Sequence, residues 1–108
     1  MFAPKPQSNS AYVSPHLITI GHLSIDLLAR CASLNGCLVH LSPLEFDLLA
    51  YLTRHAGRAI PFDELWREVW HYHSTGGTAD QIKGCVKRVR QKIEPDPKHP
   101  RYILAVRG

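Results

Sequence analysis

Thr78-Ala79-Asp80-Gln81-Ile82-Lys83-Gly84-Cys85-Val86-Lys87-Arg88-Val89-Arg90-Gln91-Lys92-Ile93-Glu94 is the stretch on which the fold turns. Thr78 with Gln81 three residues on makes a capping box, and Pro95 stops the run, so the pattern predicts a helix from 78 to 94. At roughly 100° per residue, Ile82, Val86, Val89 and Ile93 fall in one narrow arc, an apolar stripe that marks a core-facing side. The opposite side carries Asp80, Gln81, Gly84, Lys87, Arg88 and Gln91. Lys83 and Arg90 lie on one flank, Lys92 and Cys85 on the other. Five basic groups therefore surround a helix whose back is anchored. A DNA major groove, about 12 Å wide, admits such a helix; Arg and Lys reach guanine edges or phosphates, Gln pairs with adenine, and Gly permits close approach. A basic face can also be merely solvated. The surrounding pattern decides between the two.

Charge is uneven along the chain. Residues 77–108 hold eight basic and three acidic groups, net +5, whereas the first 76 residues hold five basic and six acidic groups, net −1. Positive charge gathered on the last third points to a polyanion as partner, nucleic acid or membrane surface. The 108 residues, 44% hydrophobic and 20% charged, suffice for one self-standing core. No apolar run approaches the roughly 20 residues of a spanning helix, and no secretion signal opens the chain, so a cytoplasmic protein without a membrane partner is expected. Cys31, Cys37 and Cys85 are odd in number and form no C-x-x-C pair, which indicates free thiols and no disulfide framework or zinc knuckle.

Upstream, residues 1–15 are rich in Pro and Ser and read as a flexible lead-in or linker, leaving 16–108 as the domain. Four short β-type stretches follow: 16–20, 23–26, 30–34 and 37–41. Asn35-Gly36 divides the last two as a hairpin signal, because a type I′ turn needs positive φ at both central residues. Ser42-Pro43-Leu44-Glu45 begins a helix with a Ser cap, Pro at the first position and Glu able to bond back to the cap. Leu44, Leu48, Leu49 and Leu52 continue it until Gly57. Arg58-Ala59-Ile60 reads as a short strand, and Pro61-Phe62-Asp63-Glu64 opens a second helix whose apolar stripe is Leu65, Trp66, Val69 and Trp70. Residues 71–77 read as a loop and Tyr102 to Val106 as a strand. Nothing repeats internally. The predicted class is α+β: a four-stranded antiparallel sheet, three helices and a C-terminal β-hairpin wing, the winged helix-turn-helix order.

Several spaced motifs resemble one family. Leu41-Ser42-Pro43-Leu44-Glu45-Phe46-Asp47-Leu48-Leu49 resembles the L-T-x-x-E-F-x-L-L helix start of OmpR/PhoB-type transcriptional regulators, the effector domains of bacterial two-component response regulators. Glu64 to Trp70 is similar to their E-L-L-x-x-V-W, Val86 to Glu94 to I-x-R-L-R-x-K-L-E, and Tyr102 to Gly108 to the Y-I-x-T-V-R-G that leads into the wing. The resemblance covers residues 16–108. It implies that Lys83, Gly84, Lys87 and Arg88 contact bases or nearby backbone, and that Gln81, Cys85 and Arg90 touch bases or phosphates near the groove edge. It also implies that Arg107 enters the minor groove from the wing, and that the loop containing His71, Tyr72, His73, Ser74 and Thr75 meets RNA polymerase. The implied partner is double-stranded DNA with repeated half-sites, bound by a domain that is a monomer alone and a dimer on DNA.

The departures shape the expectation as well. Asp80-Gln81-Ile82-Lys83-Gly84-Cys85 stands where the family often has Arg-Thr-Val-Asp-Val-His, so an acid and a base have traded places and the preferred DNA sequence should differ. Ala105 replaces a Thr that commonly bonds phosphate, and the sequence as given stops before the x-G-Y-R that returns the hairpin, so whether the wing is complete stays open. Fifteen linker-like residues cannot hold a receiver domain, so the chain is expected to be an excised effector domain or one that senses by other means.

Other classes are weaker. His71 and His73 lack a third ligand at useful spacing, and there is no Gly-rich phosphate loop, nucleophile elbow or carboxylate pair on one face. Neither a catalyst nor a metal site is expected, and no cofactor is implied. A winged-helix protein-interaction module that lost DNA binding is the remaining rival; the five cations around one helix argue against it.

Overall fold

The computed structural model describes residues 16–70, 79–99, 102 and 103. Four strands lead: β1 (Leu17–Ile20), β2 (Leu23–Asp26), β3 (Cys31–Leu34) and β4 (Cys37–Val39), hydrogen-bonded antiparallel in chain order. The register pairs Ile18 with Ile25, Ile25 with Ala32, and Ala32 with Val39, so period-two alternation turns Ile20, Leu23, Ile25 and Ala32 to a common buried face. Asn35 and Gly36 have φ of +53° and +81°, the left-handed pair that the β3–β4 turn requires.

The first three strands join through turns whose chemistry is local. Asp26 Oδ1 accepts the backbone N–H groups of Leu28 and Ala29 at 3.0 and 2.9 Å, an Asx-type turn. Arg30, read from sequence as the first residue of β3, instead closes this turn at φ +54°, and the strand begins at Cys31. Its freed side chain lies over the Phe46 ring at 4.8 Å and pairs with Asp47 at 2.8 Å, fastening the sheet to the first helix. β4 likewise ends at Val39, before the chain enters the helix cap.

Helix α1 (Pro43–Arg54) starts as the sequence prescribes. Glu45 N–H donates to Ser42 Oγ at 3.2 Å while Ser42 N–H donates to Glu45 Oε1 at 3.0 Å, closing the capping box. Leu48, Leu49 and Leu52 are buried, Leu44 half-buried, and Gly57 turns the chain away at φ +92°. Arg58-Ala59-Ile60 is not a strand. Ile60 is buried in the core, and Arg58 forks onto Glu64 and folds this segment back on the next helix. Helix α2 (Phe62–Glu68) buries Leu65; Val69 and Trp70, just past its end, complete the stripe, and Trp70 stacks on the half-buried Trp66 at 6.1 Å.

Helix α3 (Ala79–Ile93) crosses both α1 and α2. Glu94 caps the arrangement from its end: its carboxylate accepts N–H groups of Tyr102 (2.9 Å) and Ile103 (2.8 Å). His22 N–H reaches the Tyr102 hydroxyl at 3.4 Å, so the segment after α3 is tied to the β1–β2 turn as well. The lead-in 1–15, the 71–77 loop, the Thr78 cap, the strand beyond Ile103 and the wing lie outside the described residues. No helix among those described is long and apolar enough to cross a membrane.

Candidate nucleic-acid interface

Helix α3 is amphipathic in three dimensions as on the wheel. Ile82, Cys85, Val89 and Ile93 are buried against α1 and α2, whereas Gln81, Lys83, Lys87, Arg88, Gln91 and Lys92 are exposed. Gly84 and Arg90 are intermediate.

Cys85 overturns its sequence expectation. It is 0% exposed, so its thiol cannot reach a groove edge. The wheel centred the apolar arc on Ile82 and Val86, but α1 packs on the opposite flank, rolling the core toward Cys85 and leaving Val86 half-buried. Burial pushes the thiol pKa up to about 11, against the lowering effect of nearby Arg88, so Cys85 stays a neutral, inert core group.

The same flank holds a feature that the sequence concealed. Glu45, 4% exposed at the third position of α1, accepts Lys92 Nζ at 2.6 Å on Oε1 and Arg88 Nε at 3.2 Å on Oε2. Burial raises the Glu45 carboxyl pKa, but the Lys92 hydrogen bond, the Ser42 N–H, the Lys92 charge and Arg88 outweigh it and hold the group below its ordinary value. Glu45 is thus an ionised anchor for two cations of α3. Capping chemistry alone points to one of its oxygens; the second partner set depends on where α3 crosses.

The other basic groups differ in their freedom. Arg90 Nε donates to the Ile103 carbonyl at 3.1 Å, which turns this side chain toward the segment leading to the wing. Lys83 Nζ stands 6.0 Å over the Phe62 ring of α2. Lys87 is exposed and has no ion-pair partner among the described residues. Elsewhere Arg30, Arg58 and Arg67 are each held by an acid, Asp47, Glu64 and Glu68 respectively. Among the described residues, Lys83, Lys87 and Arg90 on α3 have no acid partner, as is also true of Arg54 and Lys98 elsewhere. Arg107 and His71 to Thr75 lie outside the described residues.

This arrangement can be compared with known proteins. The family described as transcriptional regulatory protein, C terminal, matches residues 36–108. The chain belongs to this OmpR/PhoB-type family. It is 37% identical over 92 residues to the DNA-binding response regulator MtrA of Mycolicibacterium smegmatis, a match spanning 85% of this chain and 40% of MtrA. The chain therefore spans less than half the length of that relative. Among solved structures it is similar to the response regulator DrrB of Thermotoga maritima, described as an OmpR/PhoB homolog (TM-score 0.76, 31% identity, 82% of this chain and 40% of DrrB). It is also similar to the Klebsiella pneumoniae RstA DNA-binding domain, solved in complex with the RstA box (TM-score 0.67, 28% identity, 78% of this chain and 82% of that one). The OmpR/PhoB-type fold thus agrees with the sheet-first, three-helix order found here.

Proposed function

We propose that this domain binds duplex DNA in a sequence-dependent manner to regulate transcription, with α3 in the major groove. The observation that carries the reading is the split of α3: one side sealed by Ile82, Cys85, Val89 and Ile93, the other presenting Gln81, Lys83, Lys87 and Arg88 around Gly84. A helix so held offers its cations to a polyanion without losing its place in the core. Gln81, Lys83, Gly84, Lys87 and Arg88 meet bases or adjacent phosphates. Arg90 supports the C-terminal segment and the groove edge, and Arg107 enters the minor groove. Two copies on repeated half-sites form the working complex. The segment His71 to Thr75 meets RNA polymerase, and a receiver or sensor domain supplies the signal. The role is binding, with no catalytic step assigned.

Selection from a random duplex pool, with the winners titrated across a salt series, tests the reading. A recurring motif whose affinity falls steeply with salt is the expected result, because several phosphate contacts release counterions. Absence of binding at low salt overturns it in favour of a protein-interaction module.

A further inference from the structure

We infer that Glu45 is a positioning residue for base recognition: with the bare Cα of Gly84, it presets Arg88 as a two-pronged donor for a guanine edge. The inference rests on the duplex-DNA reading above and narrows it to one side chain and one base.

A guanidinium carries five N–H groups, and Glu45 Oε2 engages only the one on Nε, leaving four on the two terminal nitrogens. About half of the Arg88 side chain is exposed (54%), whereas Glu45 is sealed beneath it (5%), so the holding group sits inside and the free end outside. Position on the helix completes the seat. Side chains on a helix lean toward its N-terminus, one turn back over residue i−4, which here is Gly84. A Cβ placed on Gly84 would lie 3.5 Å from Arg88 Nη1, so the guanidinium rests directly over the glycine. Anything longer than alanine at 84 would contest that space.

Guanine presents two acceptors, O6 and N7, in the major groove, and a planar fork matches them in pairs. An arginine already held at Nε loses less rotamer freedom on engaging them than a free one does. Lys92 shares the same carboxylate, so one negative charge holds two positive ones and the cluster keeps a net attraction for DNA.

The test uses the full chain, the duplex selected from a random pool, its complete set of single-pair substitutions and one unrelated mixed-sequence duplex, titrated by fluorescence anisotropy at one fixed salt concentration. Arg88→Lys keeps the charge and loses the fork; Glu45→Gln keeps the shape and loses the charge; Glu45→Asp keeps the charge but withdraws it, and serves if the Gln variant does not fold. The expected result is that the wild type prefers guanine at one position by about tenfold or more. All variants should lose most of that preference there while discrimination elsewhere, and affinity for the unrelated duplex, stay within about threefold. Uniform weakening on every duplex by the Glu45 variants would make Glu45 merely structural. Uniform weakening by Arg88→Lys would make Arg88 a phosphate contact. Either result overturns the inference and leaves the DNA-binding reading intact, whereas a wild type that binds no duplex overturns both.

Discussion

Glu45 Oε1 accepts Ser42 N–H at 3.0 Å and Lys92 Nζ at 2.6 Å, so a single oxygen both caps α1 and ties it to α3, 47 residues further along the chain. Local helix chemistry and tertiary packing meet in one atom. Glu45→Ala removes half of the capping box and releases two partly exposed cations that water can resolvate. The expected cost is about 1–2 kcal/mol, with the Glu45–Lys92 coupling itself below about 1 kcal/mol because Lys92 remains partly solvated. Denaturant melts of Glu45→Ala, Lys92→Ala and the double variant check both figures.

Stability at acid pH should follow Glu64. Arg58 grips both of its oxygens, and with the Tyr51 hydroxyl beside it the carboxyl pKa is held down to about 2, against an ordinary 4.5. Because the folded-state value is the lower one, the unfolded chain binds more protons between the two. The stabilisation is therefore fully present above about pH 4.5 and drains away toward pH 2. The difference in melting temperature between wild type and Glu64→Gln should be constant near neutrality and shrink through that acid window. High salt should reduce it, since the Arg58 side chain is half exposed. A difference that does not change with pH would refute the assignment.

Gly84→Ala separates stability from binding. The added methyl would meet Arg88 Nη1 at an ordinary 3.5 Å, and alanine replaces the weakest ordinary helix former in a helix interior. The variant should be about 0.5–1 kcal/mol more stable. Its DNA affinity should fall if α3 lies in the groove as proposed, since the methyl would then stand between backbone and bases. Thermal unfolding and duplex titration of the same preparation check the opposite signs.

Much of this architecture is legible wherever neighbours in sequence decide the outcome. Asn35-Gly36 dictates its turn, Ser42 and Glu45 their capping box, and the Ile82–Ile93 periodicity the buried side of α3, because each needs only a few adjacent residues. Arg30 reads from sequence as a strand residue, but Asp26, four positions earlier, claims the turn through its side chain. Ile60 is apolar because it is buried and not because it pairs in a strand; burial without a ladder partner leaves the same hydrophobic signature. Cys85 and the Arg88–Glu45–Lys92 cluster stayed hidden for a different reason. Their environment is set by the side from which α1 approaches α3, a tertiary choice that no helical wheel contains.

Glu94 offers a check on how the C-terminal segment is held. Its buried carboxylate accepts from Tyr102 and Ile103, and Arg90 takes the Ile103 carbonyl, so both backbone N–H groups and one C=O depend on α3. Glu94→Gln presents an N–H₂ group where an acceptor is needed and should cost about 1–3 kcal/mol. Amide exchange at 102 and 103 should accelerate well before α3 itself loosens. Unchanged exchange at those two amides would show that other contacts hold the segment.

The most direct test of the central claim is a backbone-amide NMR titration of the chain with its selected duplex. The largest shift changes are expected at Gln81, Lys83, Gly84, Lys87 and Arg88 on the open side of α3, with the β1–β4 sheet nearly unmoved. Changes centred on the sheet, or on α1 and α2 with α3 silent, would contradict it.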